Sequence, residues 1–80
     1  MSKEEIKFYL KEYLKNKFDV DEYEIDNKIL SLYMDSLDIV DFIVEIEQHF
    51  GIVVDEYQWE DMFVNDIVVY IENKLNRYGE

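Results

Sequence analysis

Apolar residues recur at helical spacing near the start of the chain, at Ile6, Leu10, Tyr13 and Leu14, as on one face of a helix. Ser2 followed by Glu5 is a capping box, in which hydroxyl and carboxylate each satisfy a backbone N–H left open at a helix start. Together they predict a first helix from about Lys3 to Asn16. From Lys17 to Met34 the pattern is irregular, with Asp19, Asp21, Glu22, Glu24 and Asp26 interleaved with Phe18, Val20, Tyr23 and Ile25. It reads as a long loop pinned to the core by those apolar side chains, with Ile29, Leu30 and Leu32 in a short turn. Connections of this length are uncommon and often functional.

The second helix has the clearest signal. Steps of about 100° per residue place Ile39, Phe42, Ile43, Ile46 and Phe50 in one narrow stripe. Asp35 or Ser36 supplies its N-cap, and Gly51 suits the left-handed position that ends a helix. A short third helix is predicted over Glu56 to Asp61. Asn65 or Asp66 is positioned to cap a fourth, whose stripe is Val64, Ile67, Val68, Ile71 and Leu75. Ile52-Val53-Val54 also fits a β-strand, but a lone strand has nothing to pair with. Short connections between amphipathic helices favour an all-α, four-helix bundle.

Length and composition narrow the function. Eighty residues accommodate one domain, spanning 1–80. Eight Lys+Arg against twenty Asp+Glu give a formal net charge of −12, which argues against binding nucleic acid or an anionic membrane. With 49% hydrophobic residues the chain is too apolar for a disordered acidic tail. Cysteine is absent, which removes disulfides, zinc-thiolate sites and thiol nucleophiles. Apolar runs such as Ile67–Ile71 are far shorter than a membrane span, and the charged N-terminus lacks the apolar core of a signal peptide. A cytoplasmic location is the default expectation. Residues 1–17 hold five Lys and three Glu, whereas residues 35–66 hold ten acids and no Lys or Arg. Such a one-signed surface steers basic partners; solubility alone would also account for it.

The second helix carries an apolar line that its core stripe does not explain. Leu37, Val40 and Val44 project away from Ile39, Ile43 and Ile46, among Asp38, Asp41, Glu45 and Glu47. Apolar anchors framed by carboxylates form the pattern of a docking surface; Val40 and Leu37 wrapping partway into the core from the helix end is the alternative.

The run Asp35-Ser36-Leu37-Asp38-Ile39-Val40-Asp41 resembles the carrier-serine motif of acyl carrier proteins, where Asp-Ser-Leu opens the second helix. Glu45-Ile46-Glu47-Gln48-His49-Phe50-Gly51-Ile52 is similar to that family's acidic helix ending in Phe-Gly-Ile. Asn65–Glu72 is similar to its fourth helix. The resemblance covers about half the chain.

It implies a bundle of the acyl-carrier type, with a long loop between helices one and two, and a protein that is not an enzyme. Ser36, next to Asp35, would accept a covalent 4′-phosphopantetheine arm from coenzyme A, whose thiol carries acyl groups as thioesters. The missing cysteine is compatible with this, because the sulfur arrives with the arm. Leu37, Asp38, Val40, Asp41, Val44 and Glu47 match family positions that meet partner enzymes, and Glu45 belongs to the same acidic face. The implied partners are a phosphopantetheinyl transferase, an acyl- or aminoacyl-activating enzyme, and a ketosynthase or acyltransferase with a basic docking patch. The carrier itself would be monomeric. The pathway would be fatty-acid, polyketide or related specialised biosynthesis; an aminoacyl or peptidyl carrier loaded by an adenylating enzyme is the alternative.

Departures from the family pattern are Tyr33-Met34 where a Gly-containing pair is frequent, Asp55 for Pro, Asn65 for Gly, and Gln48 for an acid. Phe42 is bulkier than the usual Leu, and the high aromatic content implies a more filled bundle with less room for a long acyl chain. Without the resemblance, Ser36 is an ordinary N-cap and the chain an acidic helical adaptor for a basic protein. A calcium loop starting at Asp19 and Asp21 fails, because Tyr23, Glu24 and Leu30 stand where a ligand, a glycine and the closing acid are required. His49, the only histidine, reads as structural, and Trp59, Met62 and Phe63 as packing for the short third helix.

Overall fold

A computed structural model describes residues 2–55 and 58–78. Four helices, α1 (Lys3–Phe18), α2 (Glu22–Asn27), α3 (Ser36–Phe50) and α4 (Val64–Tyr78), are joined by 3-10 turns at Leu30–Leu32 and Trp59–Asp61. No strand occurs among the described residues. In the extended stretch after α3, Ile52 and Val54 are buried while Val53 faces out.

The capping box at Ser2 and Glu5 forms as its sequence predicts, but α1 runs two residues further, to Phe18. It ends at Asp19 in the left-handed region, φ 55°, which a short polar side chain tolerates. Ile6, Leu10 and Leu14 are fully buried.

The expected long loop contains a helix. Asp21 caps α2 by accepting from the Glu24 N–H at 2.8 Å, and Ile25 is its one buried side chain. The rest of its hold is ionic: Asp26 meets Lys11 at 3.1 Å and Lys7 at 3.5 Å, and Glu22 meets Lys15 at 3.2 Å. A six-residue helix with one core contact has no apolar period to display. Of the side chains expected to pin this segment, Val20 and Ile25 are buried, Phe18 packs at the core edge, and Tyr23 is exposed. The turn at Leu30 forms, with Leu30 buried and Leu32 exposed.

α3 and α4 frame the core. Gly51 takes the left-handed position at φ 68° and returns its N–H to the Glu47 carbonyl, ending α3. The α3 stripe Ile39, Phe42, Ile43 and Ile46 is buried, with Phe50 only partly so. α4 begins earlier than Asn65 or Asp66 would allow as caps: Asp66 lies inside the first turn and accepts from the Phe63 N–H at 3.2 Å. Val64, Ile67, Val68 and Ile71 are buried, and Leu75 packs at the edge. Of the predicted third helix, Glu56 and Tyr57 lie outside the described residues, and the 3-10 turn Trp59–Asp61 is what the described ones form. Trp59 is fully buried there and Met62 packs against the core, but Phe63 is substantially exposed. The Leu30 N–H donates to the Met62 carbonyl at 3.1 Å, tying the two turns together.

Aromatic rings fasten α1 to α3. Tyr13 stacks on Phe42 at 5.3 Å, and Tyr9 stacks on His49 at 3.7 Å. The Tyr9 hydroxyl donates to Glu45 at 2.6 Å. Burial, reinforced by Glu45, pushes the Tyr9 phenol well above its ordinary value. Burial, with Glu24 nearby, pushes Tyr33 up to about 12.

Two outcomes follow. Phe42→Ala should lower unfolding free energy by about 3–5 kcal/mol in denaturant titrations, as expected for a truncated buried phenylalanine. Because Tyr9 and Tyr33 hold their protons more tightly when folded, stability should be intact below the unfolded tyrosine value of about 10 and fall as pH rises through the folded values. Thermal melts across the alkaline range test this, and Tyr9→Phe should flatten the loss.

Candidate functional site

The start of α3 is set by Asp35, not by Ser36. The Asp35 side chain accepts from the Asp38 N–H at 2.9 Å, and Asp38 accepts from the Asp35 N–H at 3.3 Å. Ser36 is the first helical residue and is exposed. A helix start leaves four backbone N–H groups without intrahelical acceptors. The reciprocal pair satisfies two of them, and those of Ser36 and Leu37 stay open beside the hydroxyl.

Ser36 also lies on an apolar groove of about 540 Å3, lined by Ser31, Met34, Asp35, Ser36, Ile39, Val40, Ile43 and Glu60. Met34, Ile39 and Ile43 are nearly buried and form its floor. Met34, part of the pair replacing a family glycine, anchors the loop into α3, and its N–H reaches the Leu30 carbonyl at 2.9 Å. The sequence pattern does not single out Ser31 and Glu60, because only the tertiary fold brings the two 3-10 turns together beside α3.

The outward side of α3 presents Leu37, Val40 and Val44, exposed by 75%, 55% and 43%. Asp41 is exposed among them, and Asp38 sits partly buried at the helix start. Glu45 and Glu47 flank this face and hold neighbouring segments as well. Glu45 receives the Tyr9 hydroxyl, and Glu47 receives the Val54 N–H at 2.9 Å. Asp55, standing in place of a family proline, is fixed differently: Lys74 meets it at 3.0 Å and the Tyr70 hydroxyl bonds its side chain and backbone. Those bonds hold its carboxyl below the usual range, the Tyr70 hydroxyl foremost and Lys74 next.

An exposed serine at a helix start, an apolar groove beside it and an acidic helix face with greasy anchors define a helical carrier domain. The chain matches the phosphopantetheine attachment site family over residues 5–59. It is 41% identical to the acyl carrier protein of Thermotoga maritima, across 92% of this chain and 96% of that one. It is 41% identical to that of Campylobacter hominis, across 71% and 73% of the two chains. Against the acyl carrier protein of Lactobacillus acidophilus the identity is 35%, across 91% and 96%. No solved structure matches the chain. The protein belongs to the acyl carrier protein family, whose members carry a covalent 4′-phosphopantetheine and act as carriers, not catalysts.

The division of labour at the helix start is measurable. Asp35→Ala should lower stability by about 1 kcal/mol, the usual effect of losing an N-cap. Ser36→Ala should stay within about 0.5 kcal/mol, as for a surface change. Equal losses in urea titrations would make the serine hydroxyl the cap.

Proposed function

We propose that the protein carries acyl groups as thioesters on a 4′-phosphopantetheine arm attached through the Ser36 hydroxyl. The observation that carries this reading is that Asp35 relieves Ser36 of capping, leaving its hydroxyl exposed at the mouth of an apolar groove. In the attachment step, the Ser36 oxygen displaces the nucleotide portion of coenzyme A at phosphorus and forms a phosphodiester, while the hydroxyl proton passes to the transferase. The bound arm supplies a thiol that holds the acyl group.

Everything else is done by the chain. The open N–H groups of Ser36 and Leu37 and the helix dipole favour a phosphate at that spot. The groove covers apolar atoms close to the attachment point. Leu37, Val40 and Val44 insert into a partner's recess while Asp38 and Asp41 orient it, with Glu45 and Glu47 adding negative field from the flanks. The partners this face fits are a phosphopantetheinyl transferase and acyl-handling enzymes, a ketosynthase or acyltransferase among them, with basic patches beside their active sites. Acyl cargo in fatty-acid, polyketide or related biosynthesis is favoured over aminoacyl cargo because the three relatives are all named acyl carrier protein. A cytoplasmic location fits these partners.

Incubation with coenzyme A, magnesium and a broad-specificity transferase should add one arm per chain by intact mass, and Ser36→Ala should add none. Asp41→Lys, at an exposed position outside the capping pair, should raise the transferase KM several-fold and flatten its salt dependence, since ionic strength screens exposed charge pairs. A salt-independent KM unaffected by Asp41→Lys would remove the electrostatic part of the docking account.

A further inference from the structure

Phe8 is exposed by 68% on the outer face of α1. A single exposed phenylalanine is ordinary on a protein surface, but this one walls a recess. The recess, of about 510 Å3, opens where the start of α1 meets the end of α3 and is lined by Glu4, Glu5, Phe8, Tyr9 and His49. Its aromatic part is preformed. Tyr9 and His49 stack at 3.7 Å with 11° between their planes, Phe50 meets both edge-on, and the Tyr9 hydroxyl is held by Glu45.

The rim has one sign of charge. Its carboxylates are Glu5, which caps α1 together with Ser2, and the exposed Glu4. The lysines of α1 point elsewhere: Lys7 and Lys11 line a separate recess on the far side of Phe8 and pair with Asp26, and Lys3 reaches Glu72. The negative end of the α3 dipole also falls here, while the positive end of α1 is already satisfied by its capping box. Rings beside a carboxylate favour arginine, whose planar guanidinium stacks on an aromatic face while its N–H groups meet the acid. A lysine ammonium has no such plane. The recess is also remote from the attachment point. His49 lies about 20 Å along α3 from Ser36, and about 150° around the helix from the line of Leu37, Val40 and Val44.

We propose that this recess is a second docking site, which takes an arginine that a partner protein presents next to an apolar side chain. The guanidinium stacks on the aromatic lining and pairs with Glu4, and the apolar neighbour covers Phe8. A partner bound there holds the domain by the end opposite Ser36 and leaves the outward face of α3 free for a second protein. The site itself does not depend on the arm.

The test titrates the full chain with a blocked tripeptide, leucine between two arginines, and follows backbone amide shifts by NMR. A second tripeptide has lysines in place of the arginines. The arginine peptide should move the Phe8, Tyr9 and His49 signals saturably, bind more tightly than the lysine peptide, and weaken as salt rises. Phe8→Ala, an exposed change that keeps the helix, should weaken it by about fivefold, and Glu4→Gln by about twofold. Shifts confined to Leu37, Val40 and Asp41, equal binding of the two peptides, or native affinity in Phe8→Ala would each overturn the proposal. Shifts at the recess that follow protein concentration without peptide would overturn it in favour of a second copy of the chain. Arm loading should proceed with an unchanged transferase KM in Phe8→Ala and at saturating arginine peptide. Loading blocked by the peptide would overturn the separation of the two faces. If no version gains an arm, the carrier reading fails instead, and the titration still decides the recess.

Discussion

The register of α3 is the constraint on which the molecule depends. One helix must bury Ile39, Phe42, Ile43 and Ile46 on one side while exposing Leu37, Val40 and Val44 on the other. A shift of one residue turns every side chain by about 100° and would expose the core stripe while burying the partner face. Both ends are fixed by local chemistry. Asp35 and Asp38 close the N-terminus reciprocally, and Gly51 in the left-handed region closes the C-terminus. Ser36 is presented as a consequence of that fixing, because the capping work falls to its neighbour.

The charge distribution serves two separate ends. On α1, Lys7, Lys11 and Lys15 are spent internally, holding Asp26 and Glu22 of α2 against the bundle. Such exposed pairs contribute little singly, but here they supplement the single buried contact of Ile25. On α3 the acids divide by position. Glu45 and Glu47 secure α1 and the segment after α3 through hydrogen bonds, whereas Asp41 has no such task among the described residues and is exposed. The acidic surface is thus partly architecture.

Much of this was legible in the sequence, because α1, α3 and α4 each bury a continuous stripe whose period is visible and whose ends carry recognisable caps. The start of α4 was misplaced because Asp66 acts from within the first turn, a reach-back that looks like an N-cap in one dimension. α2 was hidden for a different reason. It is held by one buried side chain, Ile25, and by lysines on another helix, so its only local trace is the Asp21 cap. At the site, Ser36 and the outward residues of α3 lie on one continuous helix and follow from its wheel. The groove does not, since Ser31 and Glu60 meet beside α3 only through the pairing of the two 3-10 turns. The aromatic content pointed to a filled interior, and Phe42 and Trp59 are both fully buried in it.

The chain contains three serines, Ser2, Ser31 and Ser36, and no threonine, and two of the three line the same groove. Localising the arm by fragmentation of the modified peptide is therefore the most direct measurement of the central claim. The account predicts the phosphopantetheine mass on Ser36 alone. An arm on Ser31 or Ser2 would contradict it, because neither occupies the helix start that Asp35 sets free.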